Sequence, residues 1–279
     1  MIIWIASYPK SGNTWIRAML SSLLYTEDGC FNITHLKKIH QYPTREVFKD
    51  FVKDHKNIKE IMKYWITTQD IINLDKKIKL FKTHNALCRI ENYPFTNNEN
   101  TLATIYIVRD PRNVITSIAN HYNYNYEEAK NFMFNSSQAI ISNKKDDTYS
   151  IGTILGSWSD HYNTWTKNNK NVLIVKYENL ILNTEEEIIK IINFLQKYKK
   201  IKINNKKIKN CIKTTSFENL KKIEEIGHFN EIEQNKNKEE KTKFFNLGKE
   251  NKWENLLDNK IKIDIEKKFL KEMKELKYI

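Results

Sequence analysis

Cysteine is scarce: the 279 residues hold three, Cys30, Cys88 and Cys211, far apart and in no C-x-x-C pair. That spacing argues against a zinc or disulfide framework, and the odd count suits a reducing compartment. Long apolar runs are missing too. Met1 to Ala6 is apolar, but no basic region precedes it and polar Ser7 and Lys10 follow at once, too short a stretch for a signal peptide or a membrane span. A cytoplasmic protein without integral membrane association is expected, beginning on a buried strand. None of the seven histidines enters H-E-x-x-H or a similar ligand pattern, so no metal is expected. The Walker A pattern G-x-x-x-x-G-K-[ST] is absent and no carboxylate stands out as a magnesium ligand. No helix-turn-helix, zinc-finger or RNA-binding signature occurs, and there is no internal repeat.

What is present suffices for a substantial core: 40% of the residues are hydrophobic and 12% aromatic, with six Trp. The length suits one α/β domain, so 1–279 reads as a single domain. Forty-seven Lys and Arg against 34 Asp and Glu give a formal net charge of +13. Such an excess favours anionic partners: phosphorylated small molecules, acidic substrates, nucleic acid or anionic lipid. Much of it is Lys from Lys190 onward, where Asn and Ile abound as well. An AT-rich coding sequence explains that bias more simply than a nucleic-acid surface does, because charge runs are usually solvated faces.

Four apolar runs read as strands of a buried parallel sheet: Ile2–Ala6, Ile78–Phe81, Ala103–Val108 and Val172–Val175. Helical spacing follows two of them, over Asn13–Leu24 and, behind Pro111, over Asn113–Tyr122. Thr184 with Glu187 three residues on has the form of a capping box ahead of Ile188, Ile191, Ile192 and Leu195. Further helices are expected near Lys207–Lys213, Phe217–Glu225 and Ile263–Lys277. Glu231–Lys243, rich in Glu, Lys and Asn, reads as a surface loop and a candidate lid. Tyr64 and Trp65, within Thr44–Gln69, are assigned to the core. Alternating strands and helices predict an α/β layer fold, a central parallel sheet flanked by helices.

Two strand ends carry anion chemistry. Tyr8-Pro-Lys-Ser-Gly-Asn-Thr-Trp15 lies where the first strand gives way to the first helix, and a helix start offers unpaired N–H groups at the positive end of its dipole. Gly12 permits close backbone approach, Ser11 and Thr14 bring hydroxyls, and Lys10 brings a charge. After the third strand, Arg109 offers a two-pronged grip on phosphate, and Ser117, about two turns along the following helix, a hydroxyl. The plainer alternative for this stretch is a structural Arg109–Asp110 ion pair.

The first octapeptide is similar to the Y-P-K-S-G-T-T-W signature of the sulfotransferases that use 3′-phosphoadenosine 5′-phosphosulfate (PAPS), with Asn13 in place of the first Thr. The resemblance implies that Lys10, Ser11, Gly12, Asn13 and Thr14 hold the 5′-phosphosulfate while Trp15 lies near the adenine. The stretch Ile105–Tyr122 resembles that family's 3′-phosphate element, which assigns the 3′-phosphate to Arg109 and Ser117. Leu80-Phe-Lys-Thr-His84 is similar to the family's K-T-H element and makes His84 the catalytic base, a role suited to a side chain that titrates near neutrality. Weaker echoes place Tyr177, Thr215 and Phe217 near the adenine. Phe244–Trp253 resembles the late R-K-G-x-x-G-x-W segment, retaining Gly248 and Trp253 but carrying Asn246 and Leu247 where Arg and Lys are expected. Lys249 is a candidate substitute for the lost charge.

The resemblance implies a three-layer fold related to P-loop nucleotide kinases. It also implies in-line transfer of a sulfuryl group from PAPS to a hydroxyl or amine of a small-molecule or glycan acceptor, with 3′-phosphoadenosine 5′-phosphate (PAP) as product and no metal. The acceptor pocket would draw on Thr44–Gln69, Asn123–Tyr149 and Glu231–Lys243. The competing readings are a P-loop-like kinase using ATP and a basic nucleic-acid-binding protein; the missing motifs argue against both. Neither the acceptor nor the oligomeric state is written in these motifs.

Overall fold

The computed structural model describes residues 1–141, 151–167, 171–226 and 243–279. Its main sheet has five strands, β1 (Ile2–Ser7), β2 (His40–Gln41), β3 (Lys79–Thr83), β4 (Thr101–Val108) and β5 (Val172–Lys176). They run parallel in the order β2-β3-β1-β4-β5. Every residue of β1 is buried, as a central strand covered on both faces requires. The four expected strands are all present. The fifth, β2, is two residues long at the sheet edge, too short to leave a hydrophobic pattern.

The principal helices are α1 (Asn13–Tyr25), α2 (Trp65–Asn73), α3 (Pro111–Tyr122), α4 (Tyr126–Phe134), α5 (Trp158–Lys167), α6 (Tyr177–Leu182), α7 (Thr184–Gln196), α8 (Asn205–Thr214), α9 (Phe217–Glu225), α10 (Asn259–Lys268) and α11 (Leu270–Glu275). Alternate residues of β1 feed opposite layers. Ile2, Trp4 and Ala6 join Trp65, Phe95, Trp158, Trp165 and Phe269 on one face. Ile3 and Ile5 join Ile16 and Leu20 of α1 and Ile191 and Leu195 of α7 on the other. The result is the three-layer α/β arrangement expected from the sequence. Trp65 is fully buried and packs on Phe95, and Tyr64 packs on Phe51, so both belong to the core side of the reading.

Two local expectations are corrected. Thr184 forms no capping box: Asn183 precedes the helix, and the Thr184 hydroxyl donates to the Leu180 carbonyl at 2.6 Å. The helix start is favoured instead by Glu185, Glu186 and Glu187 in its first turn. The segment Ile263–Lys277 is two helices rather than one. The chain breaks at Phe269, whose fully buried ring meets Trp158 and Phe134 at centroid distances of 5.1 and 5.2 Å. The candidate lid Glu231–Lys243 lies outside the described residues except for Lys243.

The chain visits β2 and β3 on one side of β1 and then β4 and β5 on the other. In such sheets the crevice beyond the carboxyl ends of the strands at this reversal is where ligands bind. The turns after β1, β3 and β4 all open there.

Candidate active site

A cavity of about 360 Å³ opens at that crevice, lined from the turn after β1 by Lys10, Gly12, Asn13, Thr14 and Trp15. Lys82, His84, Arg109, Ser117, Tyr177, Phe217 and Gly248 also line it. The basic side chains Lys10, Lys82 and Arg109 outnumber the carboxylate Glu218 among its described lining residues, so the cavity favours anions.

The turn before α1 is built tightly. Lys10 has φ 66° and Gly12 φ 102°, both in the left-handed region that costs an L side chain energy and a glycine little. A Cβ on Gly12 would stand 2.5 Å from Tyr177 Cδ2. Gly12 caps α1 without a side-chain acceptor for the opening N–H groups, which leaves the positive helix end to the cavity. The Asn13 side chain is tied to β1: its amide nitrogen donates to the Ile5 carbonyl at 3.0 Å and to Ser7 Oγ at 3.1 Å. The substitution of Thr by Asn thus ties the turn to the strand behind it. Lys10 Nζ lies 3.6 Å from the centre of the Phe244 ring, a cation–π contact.

Arg109 is 7% exposed. Its Nη1 donates to the Lys10 carbonyl at 3.3 Å and to Ser117 Oγ at 3.2 Å, and its guanidinium lies 4.2 Å from the centre of the Tyr177 ring. The structural ion pair forms elsewhere. Asp110 pairs with Arg112 at 2.7 Å, and Arg112 reaches Glu266 at 2.7 Å. Arg109 is thereby left to the cavity wall. Its Nε and Ser11 Oγ are buried with no hydrogen-bond partner among the described residues, a cost of about 1–3 kcal/mol each. A bound anion would offset that cost, so the residues fit a phosphate- or sulfate-bearing ligand.

His84, at the end of β3, is half-buried. Its Nδ1 lies 2.7 Å from the Ser7 carbonyl oxygen and 3.3 Å from Ser7 Oγ. A carbonyl only accepts, so Nδ1 carries the hydrogen and Nε2 holds the lone pair. Behind it, fully buried His161 donates from Nε2 to the His84 carbonyl at 3.0 Å, and its Nδ1 accepts from the Tyr106 hydroxyl at 2.9 Å. Burial pushes the His161 imidazole down to about 4, which keeps it neutral. Beside His84, Lys82 Nζ donates to Gln41 Oε1 at 2.5 Å, joining the edge strand β2 to the cavity wall.

The nucleotide-side residues separate. Trp15 donates from its indole nitrogen to the Thr215 carbonyl at 2.9 Å, while the Thr215 hydroxyl is engaged with the Cys211 carbonyl at 2.7 Å. Thr215 is fully buried and supports Trp15 from behind the wall. Phe217 reaches the cavity and packs under Gly248, where a Cβ would meet its ring at 2.6 Å. Gly248 has φ 54°, which only glycine tolerates beside that ring. Lys249 follows in a short helical turn.

Sequence reasoning missed Asn251. It stands at the second glycine position of the late pattern, and its amide nitrogen donates to Ser117 Oγ at 2.9 Å. That departure from glycine was the available signal. Asn246, where Arg is expected, donates to Asn120 Oδ1 at 3.1 Å instead. His161 and Gln41 carried no motif of their own.

Fold and cavity define an open parallel α/β protein with two turns suited to anions at the switch point and a histidine at the neighbouring strand end. Residues 2–277 match the sulfotransferase domain family, and the chain belongs to it. An amine sulfotransferase of Oryctolagus cuniculus is 26% identical over 231 residues, 82% of this chain and 65% of that enzyme. Sulfotransferase 1B1 of Canis lupus familiaris is 25% identical over 226 residues, 78% of this chain and 66% of that enzyme. The matches thus span just under two thirds of these relatives. Cytosolic sulfotransferase 13 of Arabidopsis thaliana is 23% identical over 271 residues, 95% of this chain and 74% of that protein. A crystal structure of mouse sulfotransferase SULT7A1 complexed with PAP superposes with a TM-score of 0.60 at 21% identity, covering 97% of this chain and 84% of that one. That likeness shows the shared fold. Among the described residues no helix is long and apolar enough to cross a membrane.

Proposed function

We propose that this chain, as one domain over 1–279, is a sulfotransferase that uses PAPS as donor and a hydroxyl or amine of a small-molecule acceptor. The observation that carries the reading is the convergence on one cavity of Lys10 and the α1 turn, Arg109 with Ser117, and His84. Family membership and the PAP carried by the mouse relative support PAPS as the donor.

The donor residues would be Lys10, Ser11, Gly12, Asn13, Thr14 and Trp15 at the 5′-phosphosulfate end and Arg109 with Ser117 at the 3′-phosphate. Tyr177, Phe217 and Gly248 would border the adenine, with Thr215 backing Trp15. Bound there, PAPS supplies an activated sulfuryl group on a phosphate leaving group. His84 Nε2 accepts the acceptor's proton, and the Ser7 carbonyl at Nδ1 fixes the tautomer and steadies the imidazolium that results. Lys10 and the N–H groups of the α1 turn stabilise negative charge that develops on the phosphate side. They act as fixed dipoles and charges that need no reorganisation. Phosphoryl transfer runs on the same positioning and electrostatics.

Calorimetric titration with PAP, with ATP and the Arg109→Ala variant as controls, tests the reading. Selective PAP binding that is lost in the variant is expected. Preference for ATP, or no binding of PAP, would refute it.

A further inference from the structure

Ser117 is held by two groups that can only donate, Arg109 Nη1 at 3.2 Å and Asn251 Nδ2 at 2.9 Å. The Asn251 amide has a fixed orientation. Its nitrogen also donates to the Asn113 carbonyl at 3.2 Å, and its oxygen accepts from the Thr116 hydroxyl at 2.6 Å. A serine hydroxyl has two lone pairs and one hydrogen. With two donors on Oγ the lone pairs are occupied, and the hydrogen has no acceptor among the described residues. Ser117 is half-buried on the cavity wall and Asn251 is 8% exposed beside it, so the hydrogen is left directed at the cavity. Around it, Asn246 and Leu247 occupy the positions where the family pattern has Arg and Lys, and Asn246 is spent on Asn120.

We infer that Asn251 is a positioning residue for the 3′-phosphate of the nucleotide. Together with Arg109 it turns the Ser117 hydroxyl outward as a donor to that phosphate, at a wall where the uncharged Asn246 and Leu247 stand in place of an Arg-Lys pair. The inference rests on the function proposed above and concerns which residues recognise the 3′-phosphate.

The test is a double-mutant cycle read by calorimetry with two nucleotides, PAP and adenosine 5′-phosphate, which lacks the 3′-phosphate. Ser117→Ala is expected to weaken PAP about tenfold or more, the usual loss of a hydrogen bond to a charged group, and to leave adenosine 5′-phosphate nearly unchanged. Asn251→Ala is expected to weaken PAP selectively in the native background and to add nothing in the Ser117→Ala background, because the two act through one hydroxyl. Asn251→Asp fills the same volume and still accepts from Thr116. It replaces the donor by a negative charge and is expected to lose PAP most severely, giving a readout should the alanine variant not fold. An Asn251→Ala loss that repeats in full without the Ser117 hydroxyl, or that falls equally on both nucleotides, would overturn the inference while leaving the donor assignment standing. Absence of PAP binding in the unsubstituted protein would overturn the donor assignment itself.

Discussion

Replacing Gly12 by alanine probes the α1 turn most directly. The new Cβ would lie 2.5 Å from Tyr177 Cδ2 and 2.9 Å from Cε2, at a φ of 102°. The Tyr177 ring can swing, but it covers the Arg109 guanidinium at 4.2 Å, so relieving the clash disturbs the Arg109 turn as well. The backbone strain is on the order of 1–3 kcal/mol. If the turn keeps its shape, that strain appears as lost stability, and each kcal/mol lowers the melting midpoint of a chain of this size by about 2–4 °C. If the turn relaxes instead, a bound anion must restore it and the same energy appears as affinity, about tenfold for each 1.4 kcal/mol. Scanning calorimetry and PAP titration on Gly12→Ala therefore expect a lower midpoint, weaker binding, or both in complementary measure. Adding Tyr177→Ala removes the clash but not the left-handed φ, so it should restore part of the stability loss. Native midpoint and native PAP affinity in Gly12→Ala would refute the claim that the left-handed turn and its close approach to Tyr177 build the site.

Two further outcomes are expected. His84→Ala should reduce turnover by about 10²–10⁴, the usual contribution of a general base, with PAP affinity nearly unchanged; sulfation assays retaining near-native rates would remove His84 from that role. His161 titrates at about 4 in the folded protein against 6.5 when exposed, because burial disfavours its cation. The unfolded chain therefore binds the proton first as pH falls. The stability that His161 protects is fully present above about 6.5 and is lost between there and about 4, up to on the order of 3 kcal/mol. Thermal melts across that window should show the loss, and His161→Gln should flatten it; an unchanged slope in the variant would assign the acid sensitivity to other groups.

Much of the fold was legible because a buried parallel strand leaves an unbroken apolar run and an amphipathic helix a 3.6-residue repeat. Ile2–Ala6 and Asn13–Leu24 became β1 and α1 within a residue. Strand β2 escaped because two residues make no run, and the helix over Ile263–Lys277 was joined because nothing local marks Phe269 as the residue that breaks the helix to enter the core. Lys10, Gly12, Arg109, Ser117 and His84, which line one cavity, were legible from contiguous motifs, since a turn suited to phosphate needs its residues adjacent in the chain. Thr215, just past the end of α8, donates its hydroxyl to the Cys211 carbonyl, a contact that no motif announces.

The sequence by itself determined which turns are suited to anions and where a base could stand, because those properties depend on residue type and short-range geometry. Tertiary structure alone decided how they are shared out. Asp110 takes Arg112 and leaves Arg109 to the cavity, the Ser7 carbonyl fixes the His84 tautomer, and Asn251 reaches Ser117 from 134 residues away. The last two join segments far apart in the chain, and the Asp110–Arg112 pair, local in itself, is held by Glu266 from 154 residues away; no local pattern encodes these partners.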